Sequence, residues 1–218
     1  PFIPKKTIFI LGGILIATIA LITSFAFLAS QPAKPVNVEI GNAYFTGPKN
    51  AQVTVVEFSD FQCSVCQRFA QEVLPQLVNN YKAKVKFVYK FFPLYETHQF
   101  ANISAQSAWC AGKPFVAKAM EGEQGKFWEY SDILMNNSSE WEADQNKLVD
   151  YAQKLGLKVS EFKSCQMSDE AKNSVQTDRR QGEQLGVNAT PTFYINGEKL
   201  VGFQPFEYWK NLLDQKLK

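Results

Sequence analysis

Two cysteines, Cys63 and Cys66, flank the dipeptide Ser64-Val65. They follow an apolar, β-branched run at residues 53–58 and open a segment with helical spacing. Two thiols spaced i, i+3 at a helix start can close a small disulfide ring, and the helix N–H groups stabilise the first sulfur as a thiolate. The spacing indicates dithiol–disulfide exchange. A structural disulfide and half of a metal site are the alternatives.

The remaining cysteines, Cys110 and Cys165, lie far apart in the chain. A zinc site with four cysteine ligands would need a second close pair, so we predict no metal. Proximity favours pairing Cys63 with Cys66, which leaves Cys110 with Cys165. Four cysteines formally allow three pairings, and the spacing does not exclude the other two.

An uncharged apolar stretch at residues 7–29 follows residues 1–6, which include Lys5 and Lys6. As a helix it would span roughly 34 Å, enough to cross a bilayer. It has no polar face, and Phe27 makes a poor −3 residue for cleavage after Ala29. We predict an uncleaved, single-pass signal anchor with residues 1–6 in the cytoplasm and the remaining chain outside the cell membrane. A cleaved signal peptide is the alternative.

The rest of the chain is predicted to form a linker followed by one domain. Residues 30–43 contain two prolines and several small or polar side chains, and predict a linker. Residues 44–218 are long enough for one sizeable core. The net charge is only +2, and the basic residues are scattered along the chain. The sequence therefore does not indicate nucleic-acid binding. A single anchor without a long heptad pattern predicts a monomer.

Periodicity predicts an α/β domain of four strands interrupted by a helical insertion. The predicted strands are residues 53–58, 84–92, 192–195 and 199–203. The insertion covers about residues 98–185, and Asn196-Gly197 predicts a tight hairpin between the last two strands. A short helix begins at Pro205. The predicted order is β-α-β, helical insertion, then β-β-α, with the first two strands parallel.

The sequence resembles the DsbA-like branch of the thioredoxin superfamily over about residues 41–215. Three segments carry the resemblance: GPKNAQVTVVEFSDFQCSVCQRF, CAG…GEQGKFWEY and LGVNATPTFYING. The resemblance implies a thioredoxin fold and a thiol–disulfide oxidoreductase that needs no bound cofactor. It further implies that the substrates are unfolded or reduced exported proteins and that a quinone-linked membrane protein is the redox partner.

The resemblance also implies roles for single residues around the cysteine pair. Cys63 would be the nucleophile and Cys66 its buried resolving partner. Glu57 matches a buried acid beneath the active site, which exchanges a proton with Cys66 as the disulfide breaks. A solvated glutamate at a strand end is the alternative. The dipeptide Ser64-Val65 departs from the family pattern, because it lacks the histidine that often helps to stabilise the thiolate.

Thr190-Pro191 resembles the cis-proline loop that faces the two cysteines in this superfamily. By that resemblance, the Thr190 backbone binds an extended substrate chain beside the disulfide. An ordinary trans proline before a strand is the alternative. A second cysteine pair recurs in related proteins, so Cys110–Cys165 is predicted to be a structural disulfide, with a second redox couple as the alternative.

For three further features we predict a structural role. Asp60 is predicted to be a polar turn residue, and His98, the only histidine, an exposed loop residue. The insertion's aromatic residues are predicted to form a core, with a peptide groove as the alternative; they are Trp109, Phe127, Trp128, Tyr130 and Trp141.

The favoured function is donation of the Cys63–Cys66 disulfide to folding exported proteins. Two other functions remain open. The same site could work as a reductase or isomerase, or the domain could be a non-catalytic binding module held together by disulfides.

Overall fold

The computed structural model describes residues 35–114, 116 and 124–218. The strands are β1 (Tyr44–Thr46), β2 (Val53–Ser59), β3 (Val85–Phe91), β4 (Thr192–Ile195) and β5 (Glu198–Val201). The helices are α1 (Ser64–Glu72), α2 (Leu74–Tyr81), α3 (Ala101–Ala111), α4 (Phe127–Asn136), α5 (Ser138–Ala143), α6 (Asn146–Lys154), α7 (Val159–Gln166), α8 (Asp169–Gln184) and α9 (Phe206–Lys216).

The strands form one mixed sheet in the order β1-β3-β2-β4-β5. β2 and β3 are parallel, as the strand–helix–strand unit requires, whereas β1 and β4 pair antiparallel with β3 and β2. This confirms the predicted thioredoxin-like α/β fold. β1 was not predicted, because its three residues are too few to display a strand period.

Both faces of the sheet are covered. On one face, Val55 and Phe87 pack with Phe69 of α1, Leu77 of α2 and Trp209 of α9. The other face packs Val56, Phe58 and Val88 against neighbouring apolar side chains, and a buried ion pair joins Lys90 of β3 to Asp178 of α8 at 2.8 Å. Helix α1, which starts with the cysteine pair, is therefore fixed against the sheet by its apolar side.

Residues 35–43, predicted to be part of a linker, lie against this domain. The N–H of Val36 donates to the carbonyl of Gly197, and Val38 and Ile40 pack on the sheet core. Apolar residues alternate along this short segment, so it presents one apolar side to the sheet. For this reason it packs on the domain instead of forming a free linker. The predicted signal anchor, residues 7–29, lies outside the described residues. Within the described part of the chain, no helix has the length and apolar character to cross a membrane.

The hairpin before α9 forms where Asn196-Gly197 predicts it. Both residues have positive φ, 48° and 86°, as a tight turn of this kind requires. β5 ends at Val201, two residues earlier than predicted, because Gly202 turns the chain with φ 83° and donates its N–H to the carbonyl of Pro191. This bond fixes the proline loop to the end of the hairpin.

The helices between β3 and β4 have their own core. Phe127, Tyr130 and Trp141 are fully buried, Trp109 is nearly so, and Trp128 packs at its edge. The predicted aromatic core is therefore observed. A disulfide between Cys110 of α3 and Cys165 of α7 crosses this core.

Removing that disulfide should lower stability without stopping thiol exchange. We expect the double variant Cys110→Ala, Cys165→Ala to lose about 2–4 kcal/mol of unfolding free energy, because the bond closes a long loop. Urea unfolding measures the loss. Full exchange activity in the folded variant is the expected companion result. An inactive variant of unchanged stability would favour a second redox couple instead.

Candidate active site

Cys63 and Cys66 occupy the first turn of α1. Cys63 is the N-cap residue, with an extended backbone (φ −72°, ψ 113°), and Cys66 lies one turn further in. Both thiols are free; the Cys63 residue is 8% exposed and Cys66 is fully buried. The first turn holds no acidic residue, so a thiolate at Cys63 has no neighbouring carboxylate in that turn to oppose it. Of these two cysteines, only Cys63 is partly exposed.

The two thiols differ in acidity. A hydrogen bond from the Cys66 thiol lowers the pKa of Cys63 to about 6 against the opposing effect of burial, and the Thr190 hydroxyl with the α1 N–H groups adds to the lowering. Burial, the hydrogen bond with Cys63 and the Cys63 charge raise the pKa of Cys66 well above its ordinary value. At neutral pH Cys63 is therefore a thiolate and Cys66 a thiol.

The loop before β4 faces Cys63. Its Thr190–Pro191 peptide bond is cis, and the Cys63 Sγ lies 3.4 Å from the Thr190 carbonyl oxygen. Antiparallel pairing of β4 with β2 brings the loop to this end of the sheet. Among the described residues, the Thr190 N–H has no hydrogen-bond partner. An extended chain beside Cys63 could therefore pair with the Thr190 main chain.

The Thr190 hydroxyl should tune the acidity of Cys63. It is buried and has no ordinary hydrogen-bond partner in the described structure, while its position lowers the pKa of Cys63. We expect Thr190→Val to raise that pKa by about one pH unit, since a polar hydroxyl that favours the thiolate is lost. The pH dependence of Cys63 alkylation measures it. Thr190→Ser, which keeps the hydroxyl, is the control, and an unchanged titration in the valine variant would contradict the assignment.

Glu57 lies on β2 below the cysteine pair and is 7% exposed. Burial, aided by the Cys63 charge, raises its pKa to about 7, although the Ser59 hydroxyl lowers it in part. The structure thus favours the buried position over the solvated one for this residue. A carboxyl group with this pKa exists in both protonation states at neutral pH, which suits it to exchange a proton with Cys66.

Asp60 begins a turn, as predicted, because its carbonyl oxygen accepts a hydrogen bond from the Cys63 N–H; His98 is less exposed than predicted. The Asp60 carboxylate is fully buried; it accepts hydrogen bonds from the N–H groups of Gln62 and Leu94 and lies 2.8 Å from the His98 Nδ1. His98 is only about a quarter exposed. Asp60 therefore ties the loop before Cys63 to the segment after β3. No local pattern indicated this, because the partners are more than thirty residues apart.

The described residues contain no group of three or more His, Cys, Asp or Glu side chains arranged to hold a metal ion. Cys110 and Cys165 are joined to each other, so they are not available to a site with Cys63 and Cys66. The acidic Cys63 beside a non-ionised Cys66 is instead suited to thiol–disulfide exchange.

Such chemistry on a thioredoxin-like sheet is that of a thiol–disulfide exchange site. The chain belongs to the thioredoxin family, whose model, described as thioredoxin, matches residues 40–215. Two solved structures share the fold. α-DsbA1 of Wolbachia pipientis has a TM-score of 0.71 at 21% identity; the match covers 83% of this chain and 93% of the α-DsbA1 chain. Oxidised BdbD of Bacillus subtilis has a TM-score of 0.70 at 21% identity; the match covers 86% of this chain and 99% of the BdbD chain.

Relatives by sequence are of two kinds. The probable disulfide bond formation protein D of Bacillus anthracis is 29% identical over 179 residues, which are 79% of this chain and 77% of that protein. The Na(+)/H(+) antiporter NhaA 3 of Salinispora tropica is 30% identical over 164 residues, 75% of this chain and 23% of the antiporter. The chain thus spans about a quarter of the length of the antiporters it matches. The predicted resemblance to DsbA-like proteins is confirmed.

Proposed function

We propose that this protein is an extracytoplasmic thiol–disulfide oxidoreductase that donates the Cys63–Cys66 disulfide to cysteines of exported proteins. The observation that carries the proposal is the unequal acidity of the two thiols beside the cis-proline loop. A low pKa at Cys63 stabilises the reduced form and so makes the disulfide a better oxidant. The similarity to a probable disulfide bond formation protein supports the same direction.

The exchange proceeds through one mixed disulfide. A substrate thiolate attacks the Cys63 Sγ, the bond to the Cys66 Sγ breaks, and Cys66 leaves as a thiolate. A second substrate thiolate then attacks the substrate sulfur, and Cys63 leaves as a thiolate. The substrate thiols lose two electrons to form a disulfide, and the enzyme pair gains them. The low pKa of Cys63 makes it the better leaving group in this second step.

Glu57 supplies the proton for the first step. Cys66 leaves into a fully buried position, where burial makes a bare thiolate unfavourable. A protonated Glu57 carboxyl gives its proton to the Cys66 sulfur and becomes a carboxylate. The reverse transfer accompanies re-oxidation. Thr190 and Pro191 hold the substrate chain beside Cys63 through the Thr190 main chain.

Residues 7–29 would anchor the domain outside the cell membrane, with residues 1–6 in the cytoplasm. The uncharged apolar stretch and its basic flank support this topology. A quinone-linked membrane protein would re-oxidise the cysteine pair, and a tether would raise its effective concentration. We propose that the protein acts as a monomer. Labelling of an engineered surface cysteine by a membrane-impermeant reagent in intact cells tests the topology.

Transfer in both directions tests the activity. The oxidised protein is mixed with a reduced, unfolded polypeptide that has two cysteines, and the reduced protein is mixed with the oxidised form of that polypeptide. We expect disulfide transfer to the polypeptide to run close to completion and the reverse reaction to be slight. Predominant reduction of the polypeptide would indicate a reductase or isomerase. Binding without transfer in either direction would indicate a binding module.

A further inference from the structure

Three polar side chains lie together beneath Cys66, on the face of the sheet that carries α1. Glu57 and Ser59 are two residues apart on β2 and so point to the same face. Tyr89 of β3 is the register partner of Glu57. All three residues are at least 93% buried; their exposures are 7% for Glu57, 2% for Ser59 and 4% for Tyr89. A buried polar group of this kind needs partners.

The two hydroxyl groups lack such partners in the described structure. Neither the Ser59 Oγ nor the Tyr89 oxygen makes an ordinary hydrogen bond, and both atoms are inaccessible to solvent. Buried polar atoms are almost always hydrogen-bonded to protein or to an ordered water molecule. Two unpaired hydroxyls around one carboxyl group and one thiol therefore point to a water molecule shared among them.

The Tyr89 hydroxyl cannot easily turn elsewhere, because aromatic rings surround its own ring. Phe61 stacks on it with the ring centroids 5.4 Å apart, and Phe91 and Phe127 contact it edge-on, each with a centroid separation of 5.3 Å. These rings also make the surroundings of the polar cluster apolar. A proton that leaves Glu57 there has few groups to go to.

We propose that Ser59 and Tyr89 form a proton relay between Glu57 and Cys66, completed by a water molecule that the two hydroxyls bind. The relay rests on the proposed exchange function; in it Ser59 hands on the proton, and Tyr89 positions the bound water. When Cys66 leaves as a thiolate, it takes a proton from the Ser59 hydroxyl or the bound water. That group regains a proton from the Glu57 carboxyl, which becomes a carboxylate, and no electron is transferred in these steps.

The electrostatics of the cluster agree with this path. The Ser59 hydroxyl lowers the pKa values of Glu57, Cys66 and Tyr89 alike. Burial first, then the charges of Glu57, Cys66 and Asp60, raises the pKa of Tyr89 well above its ordinary value, so its hydroxyl keeps its proton. The Asp60 carboxylate is itself bound to Leu94 and His98. Among the described residues, no ion pair joins Glu57 to a cation.

The pH profile of disulfide reduction tests the relay. The oxidised full-length protein is reduced with dithiothreitol between pH 5 and pH 9, and the rate is divided by the concentration of attacking thiolate. In the wild type this corrected rate should be highest at low pH, where Glu57 is protonated. We expect Ser59→Ala and Tyr89→Phe to lower it about a hundredfold near pH 6, as for loss of acid catalysis, and to match the wild type near pH 9. Ser59→Thr should restore the wild-type profile.

Matched substitutions elsewhere in the fold provide the controls. Ser131 is also a buried serine without an ordinary partner, and Tyr130 is a buried tyrosine of the helical core, so Ser131→Ala and Tyr130→Phe should keep the wild-type profile. Wild-type profiles in both Ser59→Ala and Tyr89→Phe would overturn the relay, and so would an equal loss at every pH. If the wild-type disulfide does not react at all, the proposed exchange function fails instead.

Discussion

The variant Cys63→Ser is expected to lose disulfide exchange, with the rate falling to that of the uncatalysed reaction. The loss should be on the order of a thousandfold or more, because the residue that forms the covalent intermediate is removed. Serine at this position cannot be oxidised to a disulfide, and the fully buried Cys66 cannot replace it. Oxidation of a reduced two-cysteine polypeptide, followed by thiol alkylation, measures the rate.

The companion variant Cys66→Ser separates catalysis from binding. Mixed with the oxidised polypeptide, its acidic Cys63 attacks the substrate disulfide and releases one substrate thiolate. Because the resolving thiol is missing, the resulting mixed disulfide should accumulate until dithiothreitol releases it. The Cys110–Cys165 disulfide remains in both variants, which controls for its contribution. Equal exchange by Cys63→Ser and the wild type would contradict the assignment of Cys63 as the nucleophile.

The stability of the protein should depend on pH through Glu57. Its pKa rises from 4.5 to about 7 on folding, so the folded protein binds more protons than the unfolded chain between these values. The free energy of unfolding therefore falls as the pH rises through this window, by about 3 kcal/mol in all. We expect Glu57→Gln to match the wild type near pH 4 and to exceed its stability by up to about 3 kcal/mol at pH 8.

Urea unfolding of both reduced proteins across this pH range measures the difference. The acidic Cys63 also changes stability with pH, but it is present in both proteins, so the difference between them reports on Glu57. Glu207→Gln, a substitution at an exposed glutamate, should follow the wild type at every pH. A stability difference between Glu57→Gln and the wild type that does not vary with pH would contradict the raised pKa.

Features with local signals were predictable from the sequence. The spacing of Cys63 and Cys66 at a helix start depends on four residues, and the hairpin depends mainly on Asn196-Gly197. The β2 and β3 strands have enough residues to display their apolar pattern. The cis geometry of Pro191 did not follow from periodicity; it came from the resemblance of the whole loop to a known family.

Features that depend on distant contacts were not predictable. The burial of Asp60 beside His98, and the position of Tyr89 beside Glu57, arise only when β2, β3 and the following loop come together. β1 and residues 35–43 gain their structure by packing on a sheet formed from other parts of the chain. The helical segment after the cysteines is divided in two near Pro75: α1 ends at Glu72, and α2 begins at Leu74 with the proline in its first turn.

The reduction potential of the Cys63–Cys66 pair tests the central proposal most directly. The protein is equilibrated in glutathione buffers of known composition, and the reduced fraction is measured by thiol alkylation. Because the lowered pKa of Cys63 stabilises the reduced form, we expect a value of roughly −120 to −180 mV, the range of disulfide donors. A value of roughly −270 mV, or a pair that does not cycle, would contradict a disulfide-donating function.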